Sequence, residues 1–163
     1  MKKTIIGIMG PGSGATNSDL ENAYRLGQLI ARESWVLLTG GRKIGVMNAA
    51  SRGAKAAGGL TIGILPDNNL NAVSEAVDIP IFTDMGNARN NINVLSSDVV
   101  IACGIGAGTI SEIALAIKNN KSAILLNDNL ASQGFLKSLS PEKIYVVKNV
   151  EEAIATVKKL INR

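Results

Sequence analysis

Short apolar runs alternate along the chain with longer stretches in which hydrophobic residues recur at helical spacing. Seven runs are rich in Ile and Val and short enough to be strands: "TIIGIM", "WVLL", "LTIGIL", "VDIPIF", "DVVIA", "SAILL" and "IYVV". Strands that are apolar throughout and separated by helices are typical of a parallel sheet buried on both faces. The pattern therefore predicts an α/β fold of three layers, in which a mostly parallel sheet of about seven strands lies between helices.

Five segments carry the helical pattern. In the first, "SDLE" places Glu21 three residues after Ser18, which is the spacing of a capping box and predicts a helix that begins at Ser18. The other predicted helices cover residues 45–58, 87–96, 110–119 and 150–161. The polar segment 66–75 is predicted to be the most mobile loop. The sequence has no internal repeat and no linker, so we expect one domain over residues 1–163.

The charge of the chain is mildly positive, with 17 Lys and Arg against 13 Asp and Glu. The basic residues are scattered except for small groups such as Arg42 and Lys43, a distribution that favours a small anionic ligand over nucleic acid. Five aromatic residues in 163 also leave few platforms on which bases could stack. We therefore expect a small phosphate-bearing partner and no binding to nucleic acid.

Cysteine and histidine are almost absent. The single Cys103 excludes an internal disulfide, and without histidine the familiar zinc and non-haem iron sites cannot be built, so no protein-ligated metal is expected. The apolar stretch near the N-terminus is five or six residues long and interrupted by glycine. That is too short for a signal-peptide core or a membrane span, which predicts a cytoplasmic protein without a membrane anchor.

Three glycine-rich loops follow predicted strands, where an open parallel sheet binds its ligands. The first, "GPGSGA", contributes Gly10, Gly12 and Ser13 and formally satisfies the dinucleotide pattern G-x-G-x-x-A. The acidic residue that would hold a ribose at the end of the second strand is missing, and Glu33 lies at the opposite end. NAD is therefore disfavoured, and a flexible turn before a helix remains an alternative.

The second loop, "TGGRKIGVM", places Gly40, Gly41 and Gly45 around Arg42 and Lys43 at the start of a predicted helix. Glycines allow backbone N–H groups to approach a ligand closely, and a helix N-terminus adds positive potential. The loop is thus suited to an anion, although both cations could equally be solvated at the surface.

The third loop, "GIGAGTISE", contains Gly104, Gly106 and Gly108, then Thr109, which we expect to cap the next helix, and Glu112 in its first turn. It could be a phosphate cradle, a catalytic loop in which Glu112 is the working acid, or a tight turn in which Glu112 only stabilises its own helix.

Arg89, in "MGNARNN", begins the helix that leads to the strand before the third loop. An Arg and a Glu converging on a glycine cradle would suit a phosphate joined to a sugar or heterocycle. This favours a functional interpretation of Arg89 and Glu112.

Together, "GGRKIGVM", "MGNARNN" and "GIGAGTISE" resemble the Rossmann-like superfamily that contains the LOG-type phosphoribohydrolases and the molybdenum cofactor carrier proteins. The likeness runs from residue 3 to about residue 126. The hydrolase signatures read roughly G-G-G-x-x-G-L-M, R-K-x-x-M and P-G-G-x-G-T-x-x-E. The matching positions in this chain are Gly40, Gly41, Gly45, Met47, Arg89, Gly106, Gly108, Thr109 and Glu112.

The chain departs from the hydrolase signatures at five positions, where it carries Arg42, Asn90, Gly104, Ile105 and Ala107. These altered loops resemble the carrier branch somewhat better. That resemblance implies the binding, carriage and protection of molybdenum cofactor, a pterin phosphate, without turnover.

The alternative that the resemblance implies is a phosphoribohydrolase, which cleaves nucleoside 5′-monophosphates to free base and ribose 5-phosphate. Glu112 would then face the anomeric carbon, Arg89 would hold the ligand, and the N–H groups of residues 106–109 would bind the phosphate. The resemblance also implies a homo-oligomer, a dimer or a tetramer. A molybdoenzyme or a protein of cofactor biosynthesis is an expected partner of a carrier.

Overall fold

The computed structural model describes residues 2–127 and 129–162. Its strands are β1 (Ile5–Met9), β2 (Val36–Thr39), β3 (Thr61–Leu65), β4 (Ile79–Phe82), β5 (Val99–Cys103), β6 (Ala123–Leu126) and β7 (Ile144–Val146). The helices are α1 (Asn17–Arg32), α2 (Gly45–Ala56), α3 (Asn90–Ser96), α4 (Ala107–Lys118), α5 (Leu130–Leu139) and α6 (Val150–Ile161), and a 3₁₀ turn, Gly86–Arg89, precedes α3.

The seven strands form one parallel sheet in the order β4-β3-β2-β1-β5-β6-β7. One hydrophobic cluster packs α1, α2 and α6 against one face, and a second packs α3, α4 and α5 against the other. The central strands β1, β2 and β5 are almost wholly buried, which explains why they are apolar on both faces, with Thr39 at the end of β2 as the exception. The predicted three-layer α/β fold with a parallel sheet of seven strands is confirmed.

Three of the five predicted helices begin at residues other than those expected from the sequence. α1 begins at Asn17 and not at Ser18, because Thr16 is the capping residue: its Oγ1 accepts from the Asp19 N–H at 3.1 Å, and Asp19 Oδ2 accepts from the Thr16 N–H at 2.9 Å. This is the same capping box built from a different pair of residues. The first part of predicted helix 87–96 is a 3₁₀ turn, and α4 begins three residues earlier than predicted.

The helix α5 was missing from the sequence prediction. Only Leu136 of this helix is fully buried, so its hydrophobic pattern is weak. Asn129 caps it by accepting from the Ser132 N–H at 2.8 Å. In the described part of the chain, no helix is both long and apolar enough to cross a bilayer.

Candidate functional site

A cleft of ≈ 410 Å³ lies at the carboxyl edge of the sheet, where the loops after β1, β2 and β5 meet. β1 and β5 are neighbours, and the chain leaves them towards opposite edges of the sheet, so the cleft sits at the topological switch point. Ten predicted site residues line it: Gly10, Gly12, Ser13, Gly40, Arg42, Arg89, Gly106, Gly108, Thr109 and Glu112.

The loop after β1 is held against the start of α2. The Val46 N–H donates to the Pro11 carbonyl at 3.1 Å. Gly10 has no room for a side chain, since a Cβ there would lie 2.3 Å from the carbonyl oxygen of Cys103. Close backbone packing therefore fixes the position in which Gly12 and Ser13 line the cleft.

Some residues of the loop after β2 line the cleft, and the others shape the turn of the loop. Gly40 and the exposed Arg42 line the cleft, whereas Gly41, Lys43 and Gly45 do not. Gly41 and Gly45 have φ values of 76° and 57°, which an L side chain would adopt only under strain. The Lys43 N–H donates to the carbonyl of Ala72 at 2.8 Å, and its side chain is exposed. These three residues shape the turn that presents Gly40 and Arg42.

In the loop after β5, likewise, only some of the residues line the cleft. Gly104, with φ 78°, packs against the carboxylate of Asp19 outside the cleft. Gly106 is the N-cap of α4 and provides no side-chain hydrogen bond. Thr109 therefore lies inside the first turn and does not cap it, contrary to the prediction. Its Oγ1 is buried with no hydrogen-bond partner among the described residues, so it is available to a ligand or a water.

Arg89 ends the 3₁₀ turn and is 7% exposed. Its Nη1 donates to Asn90 Oδ1 at 2.5 Å, while Nε is buried and has no partner among residues 2–127 and 129–162. Burial lowers the pKa of the guanidinium, and the charge of Glu112 opposes that shift. The guanidinium therefore carries an unused donor beside the cleft, which is the arrangement expected of an anion-binding arginine.

Glu112 lies in the second turn of α4, rather than in the first turn as predicted, and is 6% exposed. Its Oε1 accepts from Asn93 Nδ2 at 2.9 Å. Burial raises its pKa from 4.5 to about 7, while the Asn93 hydrogen bond and the charge of Arg89 act in the opposite direction. Arg89 and Glu112 share the cleft, but the ion pairs formed by the described residues do not include one between them.

Sequence reasoning missed Asn93 and the half-buried Ser111, and it identified Asn90 only as a departure from the hydrolase signatures. Asn93 stands four residues after Arg89, and this spacing puts two side chains on the same face of a helix. Helical spacing could therefore have suggested Asn93 as a partner of the site. Its hydrogen bond to Glu112 depends on the packing of α3 against α4, which the sequence alone does not give.

The cleft combines two arginines, one buried carboxyl group and the N-terminus of α4, with Met47 and Ile44 as apolar lining. No group of three or more potential metal ligands occurs among the residues that the structure describes. Such a cleft is suited to an anionic group on a helix N-terminus, joined to a ring or sugar that Glu112 could bind.

The fold and the cleft thus define a Rossmann-like α/β protein with a glycine-rich, arginine-lined cleft at its switch point. Residues 3–154 match the model of the SLOG cluster 4 family, and the chain belongs to that family. The resemblance to the superfamily of LOG-type proteins is confirmed.

Similar proteins of known structure cover almost the whole chain. The molybdenum cofactor binding protein from the phototrophic bacterium Rippkaea orientalis is 63% identical, covers 99% of each chain and superposes with a TM-score of 0.97. The molybdenum cofactor carrier protein of Chlamydomonas reinhardtii is 48% identical, with 99% of this chain and 100% of that chain covered and a TM-score of 0.95.

A more distant relative belongs to the hydrolase branch. The cytokinin riboside 5′-monophosphate phosphoribohydrolase of Rhodococcoides fascians is 28% identical over 91% of this chain and 84% of its own length. Both functions that the sequence left open are therefore represented among the relatives, at very different degrees of similarity.

Proposed function

We propose that this protein binds and carries molybdenum cofactor in the cleft without chemical turnover. The observation that carries the proposal is its 63% identity, over 99% of the chain, to a protein described as binding that cofactor. The 48% identity to a carrier protein points in the same direction.

The chemistry of the cleft supports this function. The cofactor is a pterin with a phosphate, and the turn at residues 106–109 leads into α4, whose N-terminus favours a phosphate. Arg42 and Arg89 add positive charge to the lining of the cleft, and Glu112 provides an acceptor for N–H or O–H groups. The molybdenum of this cargo is held by the dithiolene of the cofactor itself, so the protein need not supply metal ligands.

A second candidate is the phosphoribohydrolase, and one observation favours it. Arg89 and Glu112, which the resemblance to the hydrolases implies as the working pair, line the same cleft. Because the pKa of Glu112 is raised to about 7, only part of the protein would carry the ionised carboxylate near neutral pH. A carboxylate that stabilises an oxocarbenium-like transition state must be ionised, and about half of the protein would meet that condition at pH 7.

The deciding experiment measures release of free base from a panel of nucleoside 5′-monophosphates, with capture of molybdenum cofactor measured on the same preparation. The carrier function predicts stoichiometric capture, no base release, and weaker capture by Arg42→Ala and Arg89→Ala. Base release by the unsubstituted protein that disappears in Glu112→Gln would show that the protein is a hydrolase and overturn the carrier function. Capture unchanged in both arginine variants would place the cofactor outside this cleft.

Three further expectations belong to this proposal. A carrier of this kind would work in the cytoplasm, as a dimer or tetramer. It would receive the cofactor from a biosynthetic protein or pass it to a molybdoenzyme. A donor or acceptor protein can be sought by testing whether cofactor loaded on this chain restores activity to a cofactor-free molybdoenzyme.

A further inference from the structure

A chain of hydrogen bonds connects Arg89 to the glycine turn at the start of α4. Arg89 Nη1 donates to Asn90 Oδ1 at 2.5 Å, and Asn90 Nδ2 donates to Ser111 Oγ at 3.0 Å. Ser111 Oγ in turn donates to the carbonyl of Gly108 at 2.6 Å. The chain thus links the 3₁₀ turn, α3 and α4, and both of its ends lie at residues that line the cleft.

We propose that Asn90 and Ser111 are positioning residues that orient the guanidinium of Arg89 and fix its place relative to the glycine turn. This inference rests on the proposed anion-binding function of the cleft. Asn90 itself lines the cleft, but its amide oxygen and nitrogen are engaged by Arg89 and Ser111, so both residues act through the groups that meet the ligand.

Each hydrogen bond in the chain has a defined direction. The hydroxyl of Ser111 uses its single proton on the Gly108 carbonyl, so its lone pairs accept from the amide of Asn90. The amide oxygen of Asn90 must then face Arg89. One Nη group of the guanidinium is thereby held, while Nε is buried and keeps no partner among the described residues.

Asparagine suits this role because its amide is neutral. A carboxylate at position 90 could hold the guanidinium equally well, but it would neutralise the positive charge that attracts an anion. Burial strengthens the arrangement, since Arg89 and Asn90 are each 7% exposed and water competes little for their hydrogen bonds. Asn90 therefore orients the arginine and leaves its charge to the ligand.

The first test measures binding of inorganic phosphate and of molybdenum cofactor to four variants. Asn90→Ala and Ser111→Ala are expected to lower affinity about tenfold, as expected when a charged hydrogen-bonding group loses its fixed geometry. Ser111→Thr keeps the hydroxyl and should bind within about twofold of the unsubstituted protein. Asn90→Asp should orient Arg89 yet bind both anions more weakly.

Two matched controls separate positioning from general damage. Asn91→Ala removes the neighbouring amide of α3, which accepts from Asn119 away from the cleft. Ser138→Ala removes a helical hydroxyl that donates to the carbonyl three residues earlier at 2.6 Å, the same local geometry as Ser111, in the distant helix α5. Both controls should bind like the unsubstituted protein. Equal affinity in Asn90→Ala and the unsubstituted protein, or equal weakness of Ser111→Thr and Ser111→Ala, would overturn the proposal.

The second test needs no ligand. In nitrogen-detected NMR of the full chain, a held Arg89 guanidinium should give separate, slowly exchanging Nη signals, which merge in Asn90→Ala and persist in Asn91→Ala. Merged signals in the unsubstituted protein would overturn the positioning role even if no anion bound. Failure of cofactor capture alone, with phosphate binding and these signals as expected, would instead contradict only the proposed cargo.

Discussion

Gly40 gives the guanidinium of Arg89 its place beside the cleft. A Cβ at position 40 would lie 2.8 Å from Arg89 Nη2 and 2.7 Å from the sulfur of Met47, so Gly40→Ala must displace one or both side chains. Because Arg89 is buried, we expect this change to weaken phosphate and cofactor binding by about tenfold or more. Calorimetric titration measures the affinity, and a thermal melt shows whether the fold survives.

Gly134→Ala is the matched control for this prediction. Gly134 lies within α5, and nothing lies within 4 Å of the position that its Cβ would take. Alanine there should leave binding unchanged and stabilise the helix by up to about 1 kcal/mol. If Gly40→Ala bound phosphate as tightly as Gly134→Ala, Gly40 would not set the position in which Arg89 binds phosphate.

The raised pKa of Glu112 makes stability depend on pH. Well below pH 4.5 the carboxyl group is protonated in both the folded and the unfolded chain, so its burial adds no ionisation penalty to folding. As pH rises towards 7 it ionises in the unfolded chain before it ionises in the folded one, so stability falls. Glu112→Gln removes this penalty, and we expect it to raise the free energy of unfolding at pH 8 by roughly 1–3 kcal/mol.

Urea denaturation at pH 8 and at pH 4.5 checks this prediction. The gain from Glu112→Gln should be largest at the higher pH and should shrink between pH 7 and pH 4.5. If Glu112→Gln raised the free energy of unfolding equally at pH 8 and at pH 4.5, the pKa of Glu112 would not be raised by its burial.

At the scale of elements, α1 and α2 meet with almost no side chain between their backbones. A Cβ on Gly53 would lie 1.9 Å from the carbonyl oxygen of Tyr24, and one on Gly27 would lie 2.1 Å from that of Ala50. The two helices must therefore separate if either glycine gains a side chain. We expect Gly53→Ala to destabilise the protein by about 1–3 kcal/mol, measured by urea denaturation.

Arg52→Ala is the control for this contact, because it changes the exposed neighbour in the same helix. It should alter stability by less than about 0.5 kcal/mol. Gly53→Ala should also disturb the cleft, since α2 begins beside the loop that presents Arg42. Unchanged stability in Gly53→Ala would contradict the close approach of these helices.

On the scale of the whole molecule, apolar side chains remain exposed on the two helices that flank the cleft. Leu95 of α3 is 50% exposed and Ile110 of α4 is 41% exposed, with Met85 nearby in sequence at 50%. Such a surface is a candidate for self-association. We expect light scattering at micromolar concentration to give two or four times the mass of one chain, and Leu95→Asp to lower that mass.

The mass of Leu130→Asp provides the comparison, because Leu130 is 79% exposed but lies on a different helix, α5. An effect of this variant equal to that of Leu95→Asp would place the association elsewhere. A mass of one chain for the unsubstituted protein would contradict the expected oligomer.

The sequence by itself determined the layered fold and the edge of the sheet where the cleft lies. The run "VVIAC" is apolar at every position because a strand covered on both faces has no polar side, and neighbouring residues in the chain suffice to show this. The motifs with Arg89, Gly106 and Glu112 are also short runs of neighbouring residues. Their order along the chain showed which loops form the candidate site. Helix starts were less certain, because Thr16 and Ser18 offer nearly the same capping chemistry.

Only the tertiary structure decided which residues of those loops face the cleft. Gly41, Gly45 and Gly104 look like ligand-binding glycines in sequence, yet positive φ angles and close packing account for them. The raised pKa of Glu112 and the hydrogen bonds of Asn90 arise from α3 packing on α4. Burial, desolvation and contacts between distant segments depend on all the elements brought together, whereas strand and helix periodicity depends on neighbours in the chain.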